Sequence, residues 1–577
     1  MRASKALIVS LVTLALGTAP GHAAAPAPVA AVHGMVVSAH RLATQAGLDV
    51  LKSGGNAVDA AVAVAYALAV TFPEAGNLGG GGFITVRLAN GHSTFIDFRE
   101  TAPAAATATM YQDAAGQVVP LRSTRGFLSA GIPGTVAGLE LARVKYGTRP
   151  RAPLMAAAIA LASKGFVLDQ GDADFLAMGA TDFAKDPASA AIYLNRGKPL
   201  QAGQRWVQAD LGRTLQAIAS GGAAAFYQGP IAARIAAASK RGGGIITAAD
   251  LAGYKALERQ PIECDYRGYH VISAPPPSSG GIVLCETLNI LEGWPIGTLG
   301  FHSAQGVHYT AEALRRAFHD RNLNLGDPGF VKADTAKFTS KAYAAQLRAG
   351  ISSDRATPSA SLPAPGASKE GQSTTHFSIV DAAGNAVSLT YTLNDWFGAR
   401  VTAAGTGVLL NDEMDDFSSK PGASNLYGLV EGSNNAIAPG KRPLSSMSPT
   451  ILTKDGQLLM VIGTPGGSHI PTGVLQVLMG VIDYDMTLSE AIDAPRIHAQ
   501  WLPDVIYYEK DALSADTMAV LTAKGHKLEP MTYWNQVAAI LVGGPSLKQR
   551  PDAATGNRAR LYGAIDPRLP VGNAQGY

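Results

Sequence analysis

Residues 372–394 read QSTTHFSIVDAAGNAVSLTYTLN, and the rest of the chain is organised around this stretch. Thr375 to Val380 and Ala386 to Leu393 are rich in β-branched and aromatic residues, and residues 381–385 between them have turn chemistry. This pattern predicts a β-hairpin. Thr374 stands directly before its first strand.

The segment in front of the hairpin, Ala356 to Gln372, is rich in Pro, Ser, Ala and Gly, which is typical of a linker. A hydroxyl residue at the junction of a linker and a strand gains special chemistry if the chain is cut before it. The new N-terminal threonine then carries a nucleophile and a base in one residue. An N-terminal threonine hydrolase is therefore the first hypothesis.

The N-terminus has the features of a secretory signal peptide over residues 1–23. Arg2 and Lys5 give a basic start, Ala6 to Leu16 is apolar, and residues 21–23 are a small-residue cleavage signal. The apolar run is shorter than the roughly 20 residues that span a bilayer. We expect an exported protein, periplasmic or secreted, that does not bind a membrane.

Composition limits the choice of partners. Without residues 1–23 the chain has 45 basic and 44 acidic residues, which gives no reason to expect nucleic acid as a partner.

At 577 residues, two domains or one large two-part α/β unit is expected. Cys264 and Cys285 form a disulfide in an oxidising compartment or remain incidental buried thiols, and both alternatives stay open.

Two glycine-rich runs are candidate site elements. Residues 79–82 are four consecutive glycines directly before apolar strands, which favours close backbone packing over a flexible turn. Residues 463–468, GTPGGS, link a predicted strand pair to a predicted helix from Pro471 to Val481. A strand, a glycine turn and a helix together expose N–H groups suited to an oxyanion.

Charged residues follow two other predicted strands. A second hairpin, residues 82–88 and 93–99, ends at Arg99, which is either solvated or binds a substrate carboxylate. Residues 411–417, NDEMDDF, follow an apolar strand and end in Phe417, so we expect some of these acids to point inward. A long loop, residues 418–440, contains Tyr427 and is functional or disordered. From Pro133 to about Gly350 the chain is predicted to be largely helical.

Several catalytic signatures are absent from the sequence. It has no G-x-S-x-G, no H-E-x-x-H, no P-loop and no dinucleotide-binding glycine pattern that opens a βαβ unit. We therefore expect neither a metal nor a cofactor.

Seven motifs in order resemble the gamma-glutamyltransferase family. They are residues 78–83, 97–100, 276–281, 374–376, 411–417, 443–449 and 463–468. The resemblance implies an α+β fold, the four-layer αββα sandwich of the N-terminal-nucleophile hydrolases, made as a precursor that cuts itself. The scissile bond would be Ser373-Thr374, which gives a large subunit of residues 24–373 and a small one of residues 374–577.

The resemblance also implies a role for each candidate residue. Thr374 is the nucleophile, Thr392 hydrogen-bonds it, and Gly466 and Gly467 donate N–H groups to the oxyanion. Substrate-binding residues divide by charge: Arg99, Ser445 and Ser446 hold an α-carboxylate, and Asn394, Glu413 and Asp416 hold an α-ammonium. The loop with Tyr427 resembles a lid over the pocket.

The implied reaction is hydrolysis or transfer of the γ-glutamyl group of glutathione and related compounds, with water or an amino acid or peptide as acceptor. One alternative is a cephalosporin (glutaryl) acylase of the same family, whose substrates lack the α-ammonium that Glu413 and Asp416 would hold. Another is an uncut exported binding protein. The family has glutamine at position 413 in some members and glutamate in others, so Glu413 is acceptable there. The chain departs from the family pattern at residues 395–396 and over Met531 to Asn557.

Overall fold

The computed structural model describes residues 25–362, 374–420, 425, 429, 431–532, 535–549 and 560–577. The predicted signal peptide, residue Ser373 of the predicted scissile bond and the candidate lid residue Tyr427 lie outside the described residues. In the described residues, no helix combines the length and the apolar character needed to cross a bilayer.

The described helices are α1 Arg41–Lys52, α2 Ala57–Thr71, α3 Thr135–Tyr146, α4 Arg151–Lys164, α5 Gln170–Phe183, α6 Pro187–Tyr193, α7 Ala209–Gly221, α8 Ala223–Tyr227, α9 Gly229–Arg241, α10 Ala248–Gly253, α11 Gly280–Leu291, α12 Ile296–Leu299, α13 Ala304–Asn324, α14 Thr335–Phe338, α15 Lys341–Ala349, α16 Ile470–Ile482, α17 Leu488–Asp493 and α18 Ala515–Ala523.

The described strands are β1 Val29–Ala31, β2 Met35–Ser38, β3 Gly81–Arg87, β4 Ser93–Asp97, β5 Phe166–Val167, β6 Leu194–Asn195, β7 Lys198–Pro199, β8 Arg205–Trp206, β9 Leu257–Arg259, β10 Ile262–Tyr266, β11 Tyr269–Ser273, β12 Thr375–Val380, β13 Ala386–Thr392, β14 Thr402–Ala403, β15 Val408–Leu409, β16 Thr450–Lys454, β17 Gln457–Gly463, β18 Ile497–Ala499, β19 Ile506–Tyr508, β20 Leu528–Pro530, β21 Ala538–Val542, β22 Leu561–Ile565 and β23 Asn573–Gly576.

Two seven-stranded antiparallel sheets form the centre of the molecule. One has the strand order β1-β22-β21-β17-β16-β11-β10, and the other has the order β23-β2-β12-β13-β3-β4-β9. Each sheet therefore takes strands from both sides of Thr374. A cut before this residue would leave the two resulting chains joined within both sheets.

The sheets lie face to face, with β12 and β13 against β17, and helices cover their outer faces. Helices α1 and α2 cover the sheet that contains β12, and α11 and α16 cover the other. Every residue of α2 is buried, which is what a helix apolar on all sides requires. The predicted α+β, four-layer αββα sandwich is confirmed.

The predicted central hairpin is also confirmed. Strands β12 and β13 pair from Thr375 with Tyr391 to Val380 with Ala386. In the turn, Asp381 Oδ1 accepts hydrogen bonds from the N–H groups of Ala383 and Asn385, at 3.0 and 2.9 Å. All residues of both strands are buried, because β17 packs against one face of the hairpin and α2 against the other.

The prediction that residues 133–350 are largely helical is confirmed for most of this range, which contains α3 to α15, but the short strands β5 to β11 also lie in it. Strands β9, β10 and β11 lie there, and they extend the edges of the two sheets. The strands are only three to five residues long and partly exposed, so they lack the apolar run that identifies a buried strand. A disulfide between Cys264 and Cys285 joins β10 to α11, which resolves the alternative that the sequence left open.

Candidate active site

The hairpin places two threonine hydroxyl groups side by side. Thr374 precedes β12, Thr392 ends β13, and their Oγ1 atoms lie 3.3 Å apart. In an antiparallel pair the start of one strand meets the end of its neighbour, so this contact follows from the hairpin register. Thr392 Oγ1 also accepts a hydrogen bond from the backbone N–H of Asn394 at 2.8 Å.

The glycine run of residues 79–82, which lies behind the turn at Thr392, is closely packed, as predicted. A Cβ atom on Gly79 would lie 2.0 Å from the Leu409 carbonyl oxygen, and one on Gly80 would lie 2.0 Å from that of Thr392. Asn77 Nδ2 donates to the same Thr392 oxygen at 2.8 Å. The glycines therefore let the chain support the turn at Thr392 from behind.

Arg99 is buried and forms ion pairs with both predicted ammonium-binding acids. Its Nη1 donates to Glu413 and its Nη2 to Asp416, while Nε donates to the Pro443 carbonyl at 3.2 Å. The alternative of a solvated Arg99 is therefore wrong, since its side chain is 1% exposed.

The acidic turn that follows β15 points inward, as expected. Asn411 anchors it: Nδ2 donates to the carbonyls of Gly79 and Gly131, at 2.7 and 2.9 Å. Its Oδ1 accepts from the N–H of Glu413 at 3.0 Å. Glu413 is thereby held beside the guanidinium of Arg99.

Three carboxyl groups surround this single guanidinium, because Glu100 lies 3.7 Å from Arg99 Nη1. Burial raises the pKa of Glu100 to about 7 and raises the pKa of Glu413 well above its usual range, against the opposing effect of Arg99. Burial also lowers the pKa of Arg99, but the surrounding carboxyls more than offset this, so Arg99 stays charged. The cluster therefore suits a ligand group that carries one positive and one negative charge.

The two predicted serines lie on a segment held by the proline-rich turn before α11. The Ser445 N–H donates to the Pro277 carbonyl at 2.8 Å. In return, the N–H and Oγ of Ser279 both donate to the Ser445 carbonyl at 2.8 Å. This turn therefore positions Ser445 and Ser446 at the cavity.

The second glycine turn connects β17 to α16 as predicted. Gly466 and Gly467 have φ angles of +131° and +56°, a region that residues with a side chain rarely adopt. Gly467 begins a single 3₁₀ turn over residues 467–469. N–H groups at the start of a helix have no acceptor within it, so they are available to a ligand.

These elements line one small cavity. Nine predicted residues line it: Thr374, Thr392, Arg99, Asn394, Glu413, Asp416, Ser445, Ser446 and Gly467. Gly466 adjoins this lining without belonging to it, and residues 395–396 do not contribute to it.

Sequence reasoning missed five lining residues: Arg321, Leu429, Leu444, Met447 and Ile470. Arg321 lies on α13 and pairs with Glu431, while its Nε donates to Ser279 Oγ at 3.1 Å. A helical pattern does not distinguish such an arginine from a solvated one, since its partners are distant in sequence.

Comparison with known proteins links this geometry to one group of enzymes. Residues 43–572 match the family model described as gamma-glutamyltranspeptidase. The glutathione hydrolase proenzyme of Pseudomonas sp. (strain A14) is 57% identical over 575 residues, which cover 100% of this chain and 99% of the relative. That of Escherichia coli (strain K12) is 49% identical over 552 residues, with coverage of 95% and 93%.

A solved structure with the same architecture is the cephalosporin acylase from Bacillus halodurans. It is 27% identical, has a TM-score of 0.81, and the match covers 98% of this chain and 99% of that one. The fold is therefore shared by glutathione hydrolases and acylases, and the residues of the cavity have to distinguish them.

Proposed function

The chain belongs to the gamma-glutamyltranspeptidase family, and on this premise we propose how its cavity carries out the family's reaction. The protein is a glutathione hydrolase and gamma-glutamyltransferase, made as a precursor. The cut falls between Ser373 and Thr374, which gives a large subunit of residues 24–373 and a small one of residues 374–577. The observation that supports this best is the single cavity that contains both the Thr374 hydroxyl and the charged cluster at Arg99.

Self-cleavage uses the same hydroxyl as catalysis. In the precursor, Thr374 Oγ1 attacks the Ser373 carbonyl carbon, the peptide C–N bond breaks, and the amino group of Thr374 takes up the proton. Water then hydrolyses the ester and leaves Thr374 with a free amino group.

That α-amino group, with an ordinary pKa of about 7.7 to 8.0, is the base of the mature enzyme near neutral pH. It takes the proton of the Thr374 hydroxyl as Oγ1 attacks the γ-amide carbon of the substrate. Thr392, 3.3 Å away, orients the hydroxyl. The leaving amine receives the proton, and a γ-glutamyl ester remains on Thr374.

Backbone N–H groups of Gly466 and Gly467 stabilise the negative oxygen that develops in both steps. Water or the amine of an amino acid or peptide then attacks the ester and releases glutamate or a new γ-glutamyl amide. In each half of the reaction the Thr374 amino group holds the transferred proton.

Charge complementarity selects the γ-glutamyl group. Its α-carboxylate binds Arg99, Ser445 and Ser446. The α-ammonium binds Asn394, Glu413 and Asp416. Because an adjacent cation favours the charged form of a carboxyl, the bound ammonium opposes the effect of burial on the pKa of Glu413.

A glutaryl acylase is the second candidate, favoured by the structural likeness to the Bacillus halodurans acylase. A glutaryl group has no ammonium, so it would leave the buried Glu413 and Asp416 without a new cationic partner. Two carboxyls next to the nucleophile therefore favour γ-glutamyl substrates.

Turnover of γ-glutamyl and glutaryl anilides by the purified, self-cleaved protein tests this choice. We expect kcat/KM to be higher for the γ-glutamyl compound, and Asp416→Asn to narrow the difference. Faster turnover of the glutaryl anilide by the unsubstituted enzyme would favour the acylase. Turnover of neither compound would favour an exported binding protein.

Export to the periplasm or the medium follows from the predicted signal peptide. We expect fractionated cells to contain the protein outside the cytoplasm, with a large subunit that begins near residue 24. Retention of residues 1–23 in a cytoplasmic protein would contradict this.

A further inference from the structure

The loop of residues 464–469, here the oxyanion loop, is held from behind by two buried polar side chains. His469 is 1% exposed and Asn535 is fully buried. His469 closes the loop itself, whereas Asn535 comes from the region that departs from the family pattern. Neither residue lines the cavity, so neither touches a substrate there.

Asn535 holds the carbonyl of Pro465, which precedes Gly466. Its Nδ2 donates to the Pro465 oxygen at 2.8 Å and to the His469 oxygen at 3.3 Å. The Thr464 hydroxyl donates to the same Pro465 oxygen at 3.0 Å. A Cβ on Gly473 would lie 2.6 Å from Asn535 Oδ1, so the amide sits in a space that α16 keeps free of side chains.

His469 holds the carbonyl of Gly466, which precedes Gly467. Both its backbone N–H, at 2.9 Å, and its ring Nδ1, at 3.2 Å, donate to the Gly466 oxygen. The ring lies against that of His498, with centroids 3.9 Å apart. His498 is itself fixed by Thr472 Oγ1 and Gln500 Oε1, each at 3.0 Å, so the His469 ring has a rigid support.

The direction of the two following N–H groups depends on these contacts. In a planar trans peptide the C=O and the next N–H point in opposite directions. The peptides after Pro465 and Gly466 are not among the cis bonds of the chain. A carbonyl held on the outer side therefore turns the N–H of the next residue, Gly466 or Gly467, to the inner side.

Glycine makes this support necessary. Without a Cβ, Gly466 and Gly467 have access to many backbone conformations, and rotation of either peptide would remove a donor from the oxyanion. Donors fixed before the reaction need no reorganisation as charge develops, which is the origin of their large effect on rate.

We propose that His469 and Asn535 are positioning residues of the oxyanion hole. They hold its two peptides in the orientation that the transition state requires. This inference rests on the proposed roles of Gly466 and Gly467 as oxyanion donors.

The test compares His469→Leu, which fills the space without a donor, with His469→Asn, whose amide places a donor near the position of Nδ1. Asn535→Leu removes the other donor. Asn289→Leu is the matched control, since the buried Asn289 donates to the Thr339 carbonyl at 2.8 Å, far from the loop. Rates for a γ-glutamyl anilide are divided by the amount of self-cleaved protein.

We expect His469→Leu and Asn535→Leu each to lower kcat by about 10-fold or more, short of the roughly 10²- to 10³-fold effect of losing an oxyanion donor, with KM nearly unchanged. His469→Asn should recover most of the rate, and Asn289→Leu should keep it. A boronic acid analogue of the γ-glutamyl group, which forms a tetrahedral adduct on Thr374, should bind the two leucine variants more weakly, whereas binding of glutamate should not change.

Equal rates for His469→Leu and His469→Asn, or equal weakening of boronate and glutamate binding, would assign these residues a structural role only and overturn the proposal. If His469→Leu does not fold, Asn535→Leu tests the support of the Pro465 carbonyl alone. Failure of the proposed function would appear differently, as no turnover of the γ-glutamyl anilide by the unsubstituted protein.

Discussion

The cavity has two walls, one with charged groups and one with neutral hydrogen-bonding groups. The charged wall consists of Arg99, Glu413 and Asp416, which form buried ion pairs. The neutral wall consists of Thr374, Thr392 and Gly467 of the oxyanion loop, which have hydroxyl and backbone N–H groups. In the proposed mechanism, a substrate's fixed charges bind the first wall equally well before and during reaction, whereas the second wall stabilises charge that appears only in the transition state. The proposal therefore assigns substrate specificity to the charged wall and reaction rate to the neutral wall.

The largest effect is expected from Thr374→Ala, which removes the proposed nucleophile in the neutral wall. The chain should remain uncut, and turnover should fall by at least about 10⁴-fold, as for other nucleophile deletions. A denaturing gel and an anilide assay measure both. Thr375→Ala, one residue later, is the control and should still be cut; residual cleavage of Thr374→Ala at the same bond would refute the assignment.

Arg99→Gln breaks the charged wall. We expect kcat/KM for γ-glutamyl anilide to fall by about 10²- to 10³-fold, mainly through KM, because a buried charge pair loses one partner. The same loss should lower the free energy of unfolding by about 3–5 kcal/mol. Steady-state kinetics and thermal unfolding measure the two effects.

The control for this prediction is Arg259→Gln. Arg259 pairs with Asp97 at 2.7 Å, but its side chain is 20% exposed and lies outside the cavity. The Arg259→Gln variant should keep the kcat and KM of the unsubstituted protein. A kcat effect with unchanged KM in Arg99→Gln would contradict the division between the walls.

Thr392→Val tests the neutral wall more gently. The substitution keeps the shape of the side chain but removes the hydroxyl that contacts Thr374 Oγ1 and the Asn394 N–H. We expect kcat to fall by about 10-fold with little change in KM, since a neutral hydrogen bond contributes about 1 kcal/mol. Thr390→Val is the control, because the Thr390 hydroxyl contacts His376 instead. A larger effect on KM than on kcat would place Thr392 in substrate binding.

The smallest effect concerns stability and its pH dependence. Burial raises the pKa of Glu100 to about 7, above its value in the unfolded chain, so its contribution is fully present below the unfolded pKa and is lost as pH rises through 7. The Glu100→Gln variant does not lose this contribution. The midpoint of thermal unfolding of the variant minus that of the unsubstituted protein should therefore increase from pH 5 to pH 8. If this difference in midpoints stays constant, Glu100 does not titrate in that range.

The parts of the site that are local in sequence could be predicted. The hairpin, the close packing at residues 79–82 and the strand, turn and helix around Gly466 each follow from a short pattern. The disulfide remained open because two cysteines do not reveal their separation in space. Arg99 remained ambiguous because nothing next to it in the chain shows that Glu413 and Asp416 will surround it.

Other features depend on contacts between distant segments. Arg321 and Asn535 act through residues of other elements, and no local pattern marks either one. Strand β10 lies at the edge of its sheet with β11 next to it, and both have partly exposed residues, so the sheet stabilises them more than their own sequence does.

In the proposed mechanism, one cut before Thr374 creates the free amino group that acts as the base at the neutral wall. Intact-mass analysis and N-terminal sequencing of the purified protein test it most directly. We expect two chains, the smaller one comprising residues 374–577 with Thr374 at its N-terminus. A single uncut chain with full activity, or an active small chain that begins at another residue, would contradict it.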